Sequence, residues 1–161
     1  MSRILDAFKA GSVHRWHCNP WLAGTHDRTD GHGARVARII DLLWPDAPKA
    51  LLQSALRHDD GEVAVGDVKA PAKDADPVFA EMLEDRETVA RQSLWGPDPA
   101  LTLDDLRKLK FADRLDAWIW ARHHRAPMSV DGWPAAMCWL FAEAQMLGVD
   151  AEWNALVLDM P

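Results

Sequence analysis

No stretch of this chain alternates apolar and polar residues for long enough to make a half-buried strand, whereas apolar residues recur every three or four positions along most of it. That periodicity predicts an all-α fold. A short helix over 2–10 puts Ile4, Leu5 and Phe8 on one side and stops at Gly11. Residues 13–29, with Pro20 and Gly24 and no sustained period, form an ordered connector rich in side chains able to touch a ligand. A helix from Asp30 to about Trp44 carries His32, Val36, Ile39 and Leu43 on one stripe, and Pro45 ends it. Asp46 is placed to cap the next helix, with Pro48 in its first turn. Residues 66–76 read as a loop, 77–94 as a charged amphipathic helix, and Gly96-Pro97-Asp98-Pro99 as a break. Thr102 with Asp105 three later predicts a capping box opening a helix that continues to about His124. Residues 134–147 form a strongly apolar last helix closed by Gly148, after which the tail packs through Trp153, Leu156 and Leu158.

Length and composition narrow the class. A chain of 161 residues suits one domain and can bury roughly two thirds of its unfolded surface. The net charge of −7 argues against nucleic acid or an anionic membrane as the main partner. It leaves room for a small phosphorylated ligand, because a few local cations outweigh a distant acidic surface. Cys18 and Cys138, far apart, suggest reduced thiols rather than a disulfide framework. No apolar run reaches the roughly 18 residues of a membrane helix, and no secretory segment opens the chain, so the cytoplasm is expected. The apolar last helix and the nine tryptophans point to a homo-oligomer, a dimer or higher.

Several polar residues lie where apolar ones are due. His58 continues the stripe of Leu51 and Ala55, and Asp59 follows it directly. If the helix runs on through Glu62, four residues after His58, these side chains cluster at its end. Asp113 shares a stripe with Leu106, Leu109, Ala117 and Trp120, and His32 lies on the stripe of Val36 and Ile39. Each alone has an ordinary explanation: a satisfied core histidine, or an aspartate paired with Arg57 or Arg114. Together they place two imidazoles and two carboxylates on three helices. That is a sound donor set for a divalent transition metal such as Co, Mn, Zn, Fe or Ni. His14, His17 and His26 are read mainly as surface imidazoles, with a second metal as the alternative, and His123 and His124 suit a helix C-terminus.

The pattern His32, His58-Asp59, Asp113 resembles the HD-domain superfamily of metal-dependent phosphohydrolases. Arg15-Trp16, His58-Asp59-x-x-Glu62 followed by Gly66-Asp67, Pro71-x-Lys73 and Lys110-x-x-Asp113 narrow the likeness, which covers about residues 13–120. Together they are similar to the bacterial 5′-deoxynucleotidase branch, near which short phage and prophage deoxynucleoside triphosphohydrolases also fall. The resemblance implies that His32, His58, Asp59 and Asp113 hold one divalent metal. It implies that Glu62 orients or deprotonates the attacking water, with Asp67 in support. Arg15, Lys73 and Lys110 would meet phosphate, and Trp16 would lie against sugar or base. Two residues depart from the pattern. Lys69 is an additional cation that either favours a di- or triphosphate or is solvated, and Asp60 is expected to point to solvent. The implied reaction is hydrolysis of the 5′-phosphate of a 2′-deoxynucleoside monophosphate. The alternatives are release of triphosphate from a deoxynucleoside triphosphate, and a non-catalytic nucleotide-binding module.

Overall fold

The computed structural model describes residues 2–160, and all regular structure in them is helical. The helices are α1 (Arg3–Gly11), α2 (Thr29–Leu43), α3 (Lys49–Arg57), α4 (Ala70–Ala75), α5 (Pro77–Trp95), α6 (Leu103–His123), α7 (Trp133–Leu147) and α8 (Asp150–Asp159). Two short 3₁₀ turns, Ala23–Thr25 and Asp60–Ala64, complete the set. No helix among the described residues is long and apolar enough to cross a membrane.

Local chemistry sets most of the boundaries. α2 ends before Pro45, where the Trp44 amide still donates to the Ile40 carbonyl at 2.8 Å. Asp46 is exposed and makes no cap; α3 starts instead at Lys49, after Pro48 with its φ of −65°. Asp76 caps α5 by accepting from the Phe79 amide at 3.1 Å, and Pro77 occupies the first turn, where its missing N–H costs nothing. The capping box at Thr102 forms, with the Thr102 hydroxyl accepting from the Asp105 amide at 3.0 Å and the Asp105 carboxylate from the Thr102 amide at 3.2 Å. Residues 66–76 are not a loop throughout: α4 fits into them, with a proline in its first turn.

α2, α3 and α6 pack together in the middle of the molecule, α7 and α8 extend the bundle from α6, and α5 lies against the Asp60–Ala64 turn. α6 faces two cores. Phe111, Leu115, Trp118 and Ala121 meet Trp133, Leu140 and Trp153 on one side, while Ala112 closes onto Val36, Ile40, Leu51 and Ala55 on the other. Burial of each large aliphatic or aromatic side chain contributes about 1.5–3 kcal/mol. This orientation corrects two expectations. α6 is rotated so that Leu106 is half in solvent and Asp116, not Asp113, is the carboxylate sunk in the helix interface. Of the tail, Trp153 is buried and Leu156 partly so, but Leu158 is exposed. Ile4, Leu5 and Phe8 do share one side of α1, and that side faces outward.

A close approach of α2 to α3 positions the site. A side chain on Gly33 would press against the Leu56 and Ala55 carbonyls, at 3.0 and 3.2 Å. Glycine therefore lets α2 settle onto the last turn of α3, bringing His32 beside His58.

Candidate metal centre

α3 stops at Arg57, earlier than a helix continuing through Glu62 would require, and His58 is its last helical-geometry residue. Asp59 then turns the chain (φ −94°, ψ 1°) into the 3₁₀ segment carrying Glu62. His58 and Glu62 are thus separated by a tightened turn rather than carried along one helix. The break is held from outside. Arg91 of α5 donates to the His58 carbonyl at 3.1 Å, and the Trp95 indole N–H donates to Asp60 at 2.7 Å. Asp60 is therefore buried against Trp95 and does not point to solvent, and burial pushes its carboxyl up.

His32, His58 and Asp59 offer ligand atoms lying within 4.8 Å of one another. His32 Nε2 is 3.2 Å from His58 Nε2 and 3.4 Å from an Asp59 oxygen. Asp113 joins from α6, with Oδ1 at 3.0 Å from His32 Nε2 and 3.7 Å from His58 Nε2. It pairs with these imidazoles, while Arg57 stacks on Trp95 and Arg114 on Trp139.

The outer nitrogens fix the chemistry of the inner ones. His58 Nδ1 lies 2.9 Å from the Ala55 carbonyl, and His32 Nδ1 lies 2.7 Å from an Asp116 carboxylate oxygen. Both partners only accept, so both Nδ1 atoms carry hydrogen, and in each neutral ring Nε2 presents a lone pair. Two lone pairs and two carboxylates then converge with no donor among them. Such a group is stable only around positive charge, either a cation or a bound proton. Without a metal the proton is held. Burial pulls His58 down, but Asp59 and Asp113 outweigh it and raise its pKa to about 10. Burial and Arg15 also lower His32, yet hydrogen bonds to Asp113 and Asp116 leave it raised. Asp113 is held well below the usual carboxylate range, since its hydrogen bonds to His32 and His58 overcome burial. The donor types and their tautomers suit a divalent metal ion.

Glu62 is buried, and its Oε2 has no hydrogen-bond partner. Burial, with the Asp59 and Asp67 carboxylates, pushes it up to about 9. Asp67 accepts from the Trp16 amide at 2.6 Å, tying the 13–29 connector to the segment after Glu62 and holding Trp16 at φ 64°. Arg15 is buried with Nη1 3.0 Å from Asp27 and 3.8 Å from Asp116, and it remains close enough to Asp59 and Asp113 to feel both charges. Trp16 gives its indole N–H to Asp27 at 3.0 Å and rests against Trp133.

The lysines are arranged differently. Lys73 is half-buried, 3.5 Å from Glu87, and its charge reaches Glu62. The ammonium groups of Lys69 and Lys110 make no hydrogen bond or ion pair among the described residues, and both residues are exposed. His14, His17 and His26 are exposed and form no metal-type cluster among the described residues.

Three residues the sequence reading passed over complete the centre. Asp27 is buried and accepts from Arg15, Trp16 and Arg35. Asp116 accepts from His32 and twice from Arg35. Arg35 lies over Trp120, its guanidinium 4.3 Å from the ring centroid. The only local signal for Asp116 was its place three residues after Asp113, which puts both on neighbouring positions of one helix surface.

Compared with family models, with curated proteins and with solved structures, the chain finds no match in any of the three.

Proposed function

We propose that the protein is a divalent-metal-dependent phosphohydrolase of the HD type, acting on the 5′-phosphate of 2′-deoxynucleoside monophosphates. The observation that carries this reading is the convergence of His32 Nε2, His58 Nε2, Asp59 and Asp113, which present only acceptors to one another once both imidazoles are neutral. His32, His58, Asp59 and Asp113 would hold the metal, which when bound supplies Lewis acidity toward a phosphoryl oxygen and acidifies water.

The chain's own groups account for the remaining requirements. Phosphoryl transfer needs charge neutralisation, an aligned water and little covalent help. Arg15, buried and near enough to Asp59 and Asp113 to feel both charges, would supply a cation for the nonbridging oxygens. Glu62 has a free Oε2 to receive the proton of the attacking water. Its raised pKa comes first from burial and then from Asp59 and Asp67. A cation held by Asp59 would cancel the second of these contributions and favour the ionised form of Glu62 that a base requires. As water oxygen bonds to phosphorus and the P–O5′ bond breaks, one water proton passes to Glu62, and the departing 5′-oxygen takes up a proton from solvent to leave as the alcohol. Asp67 acts through the connector, holding the Trp16 amide and hence Arg15 next to it in the chain.

The test pairs metal analysis with product identification. The protein loaded with Mn²⁺ or Co²⁺ is incubated with dAMP and with dATP. Free phosphate and deoxyadenosine from dAMP are expected. Tripolyphosphate from dATP would instead make the protein a triphosphohydrolase at the same centre. Nucleotide binding without turnover, unaffected by Glu62→Ala, would make it a binding module, and failure to retain metal would overturn the whole reading.

A further inference from the structure

We propose that Asp116 is a positioning residue that fixes His32 in the tautomer whose Nε2 faces the metal centre. The inference rests on the cation reading of His32, His58, Asp59 and Asp113. Histidines that bind metals generally donate their other ring hydrogen to a carboxylate or carbonyl, which sets both tautomer and ring orientation. The two histidines here are served by different partners. His58 donates to a backbone carbonyl of its own helix, which no substitution alters. His32 depends on one side chain, 84 residues away on α6.

That side chain has no spare oxygen. Asp116 is 3 % exposed. Its Oδ2 takes His32 Nδ1 at 2.7 Å and Arg35 Nη2 at 3.1 Å, and its Oδ1 takes Arg35 Nε at 2.7 Å. Arg35 is in turn fixed by Asp27 at 2.8 Å, so the carboxylate cannot pivot. An asparagine of the same shape has one acceptor for these two edges. If its oxygen stays with Arg35, its amide N–H faces His32 Nδ1, which must then accept. The ring hydrogen moves to Nε2 and points at Asp113, Asp59 and His58, where a cation would sit. If its oxygen turns to His32, the amide N–H meets the Arg35 Nε–H in a buried place. Asp116→Asn therefore either reverses the tautomer or weakens the hold on it.

The experiment uses Co²⁺ alone as the probe. Co²⁺ affinity is measured by competition with a chelating indicator for the wild type, D116N and the double variant R35M/D116L, in which an apolar side chain of similar shape offers His32 no acceptor. The double variant has no unpaired guanidinium and serves equally if D116N does not fold. Proton NMR of the Co²⁺-loaded proteins then gives a reading of the tautomers. Imidazoles bound through Nε2 show their Nδ1–H protons as exchangeable, paramagnetically shifted signals. The wild type is expected to show two, one from each histidine. Both variants are expected to bind Co²⁺ about 10–100-fold more weakly, and to lose one of these signals or exchange it faster while the other persists. Wild-type affinity with both signals unchanged in D116N would overturn the role of Asp116 and leave the metal centre standing. Recovery of affinity in R35M/D116L, which offers His32 no acceptor, would also overturn it, by tracing the loss in D116N to the stranded Arg35 charge. A wild type that takes up no Co²⁺ would overturn the metal centre itself.

Discussion

Metal affinity at this centre should depend on pH well above the range where histidine ligands ordinarily stop mattering. His58 lies at about 10 in the metal-free protein, because Asp59 and Asp113 together outweigh the effect of burial. An ordinary histidine ligand, with a pKa of about 6.5, has lost its proton by about pH 7.5, and affinity above that is flat. Here the incoming ion must displace a proton that is still bound. Each unit of pH then changes apparent affinity about tenfold, or roughly 1.4 kcal/mol, so from about pH 6.5 to pH 8.5 it should rise roughly a hundredfold. Release of a second proton from Glu62, held at about 9, would make the slope steeper. Stability runs the other way. A raised folded-state pKa gives His58 a contribution that is complete below about pH 6.5 and is lost as pH climbs through about 10. The metal-free protein should therefore weaken over the interval in which the ion binds more tightly. Mn²⁺ titration calorimetry in buffers of differing ionisation enthalpy counts the protons released, and indicator competition gives the slope. An affinity that is level across this interval, with no proton released, would refute the reasoning.

Other perturbations follow from single contacts. Glu62→Gln should retain metal but lower turnover at least about 10²-fold; since the folded-state pKa of Glu62 is raised, its metal-free form should also melt higher than wild type near pH 8–9 and alike near pH 4. Gly61→Ala would push a methyl group into the Glu87 backbone of α5, and a loss of about 1–3 kcal/mol in urea unfolding is expected. Asp67→Ala removes the acceptor of the Trp16 amide, which should cost about 1–3 kcal/mol and expose the 13–29 connector to limited proteolysis. Trp153→Ala, in the core shared by α6, α7 and α8, should cost about 3–5 kcal/mol without altering metal uptake.

The helices were legible because three-to-four-residue periodicity and caps are local properties, as Thr102 with Asp105 shows. The convergence of His32, His58, Asp59 and Asp113 was legible as well, since polar side chains on apolar stripes need partners. What failed depended on partners distant in the chain. Asp60 reads as a solvent-facing acid until Trp95, 35 residues on, is folded over it. Asp113 reads as the inward carboxylate of α6, but contacts with α2 and α7 set the rotation of that helix and sink Asp116 instead. Asp27 and Arg35 gave no signal, because a charge in a mixed segment looks the same whether it ends in water or in a buried pair. The break after Arg57 was also hidden, because close packing of Gly61 against α5, rather than any helix-stop residue, accompanies it.

The arginine–aspartate lattice behind His32 bears on which ion the centre would hold if it binds a metal as proposed. Asp27 and Asp116 are matched in number and opposed in sign by Arg15 and Arg35. Taken by itself that lattice carries no net charge, although Arg15 also feels Asp59 and Asp113. Once the imidazoles are neutral, Asp59 and Asp113 are the uncompensated anions at the ligand atoms. A doubly charged ion brings them to neutrality, whereas sodium or potassium would leave one negative charge stranded and ferric iron would add a positive one. On the metal reading, the guanidinium groups would thereby favour a doubly charged ion without ligating it.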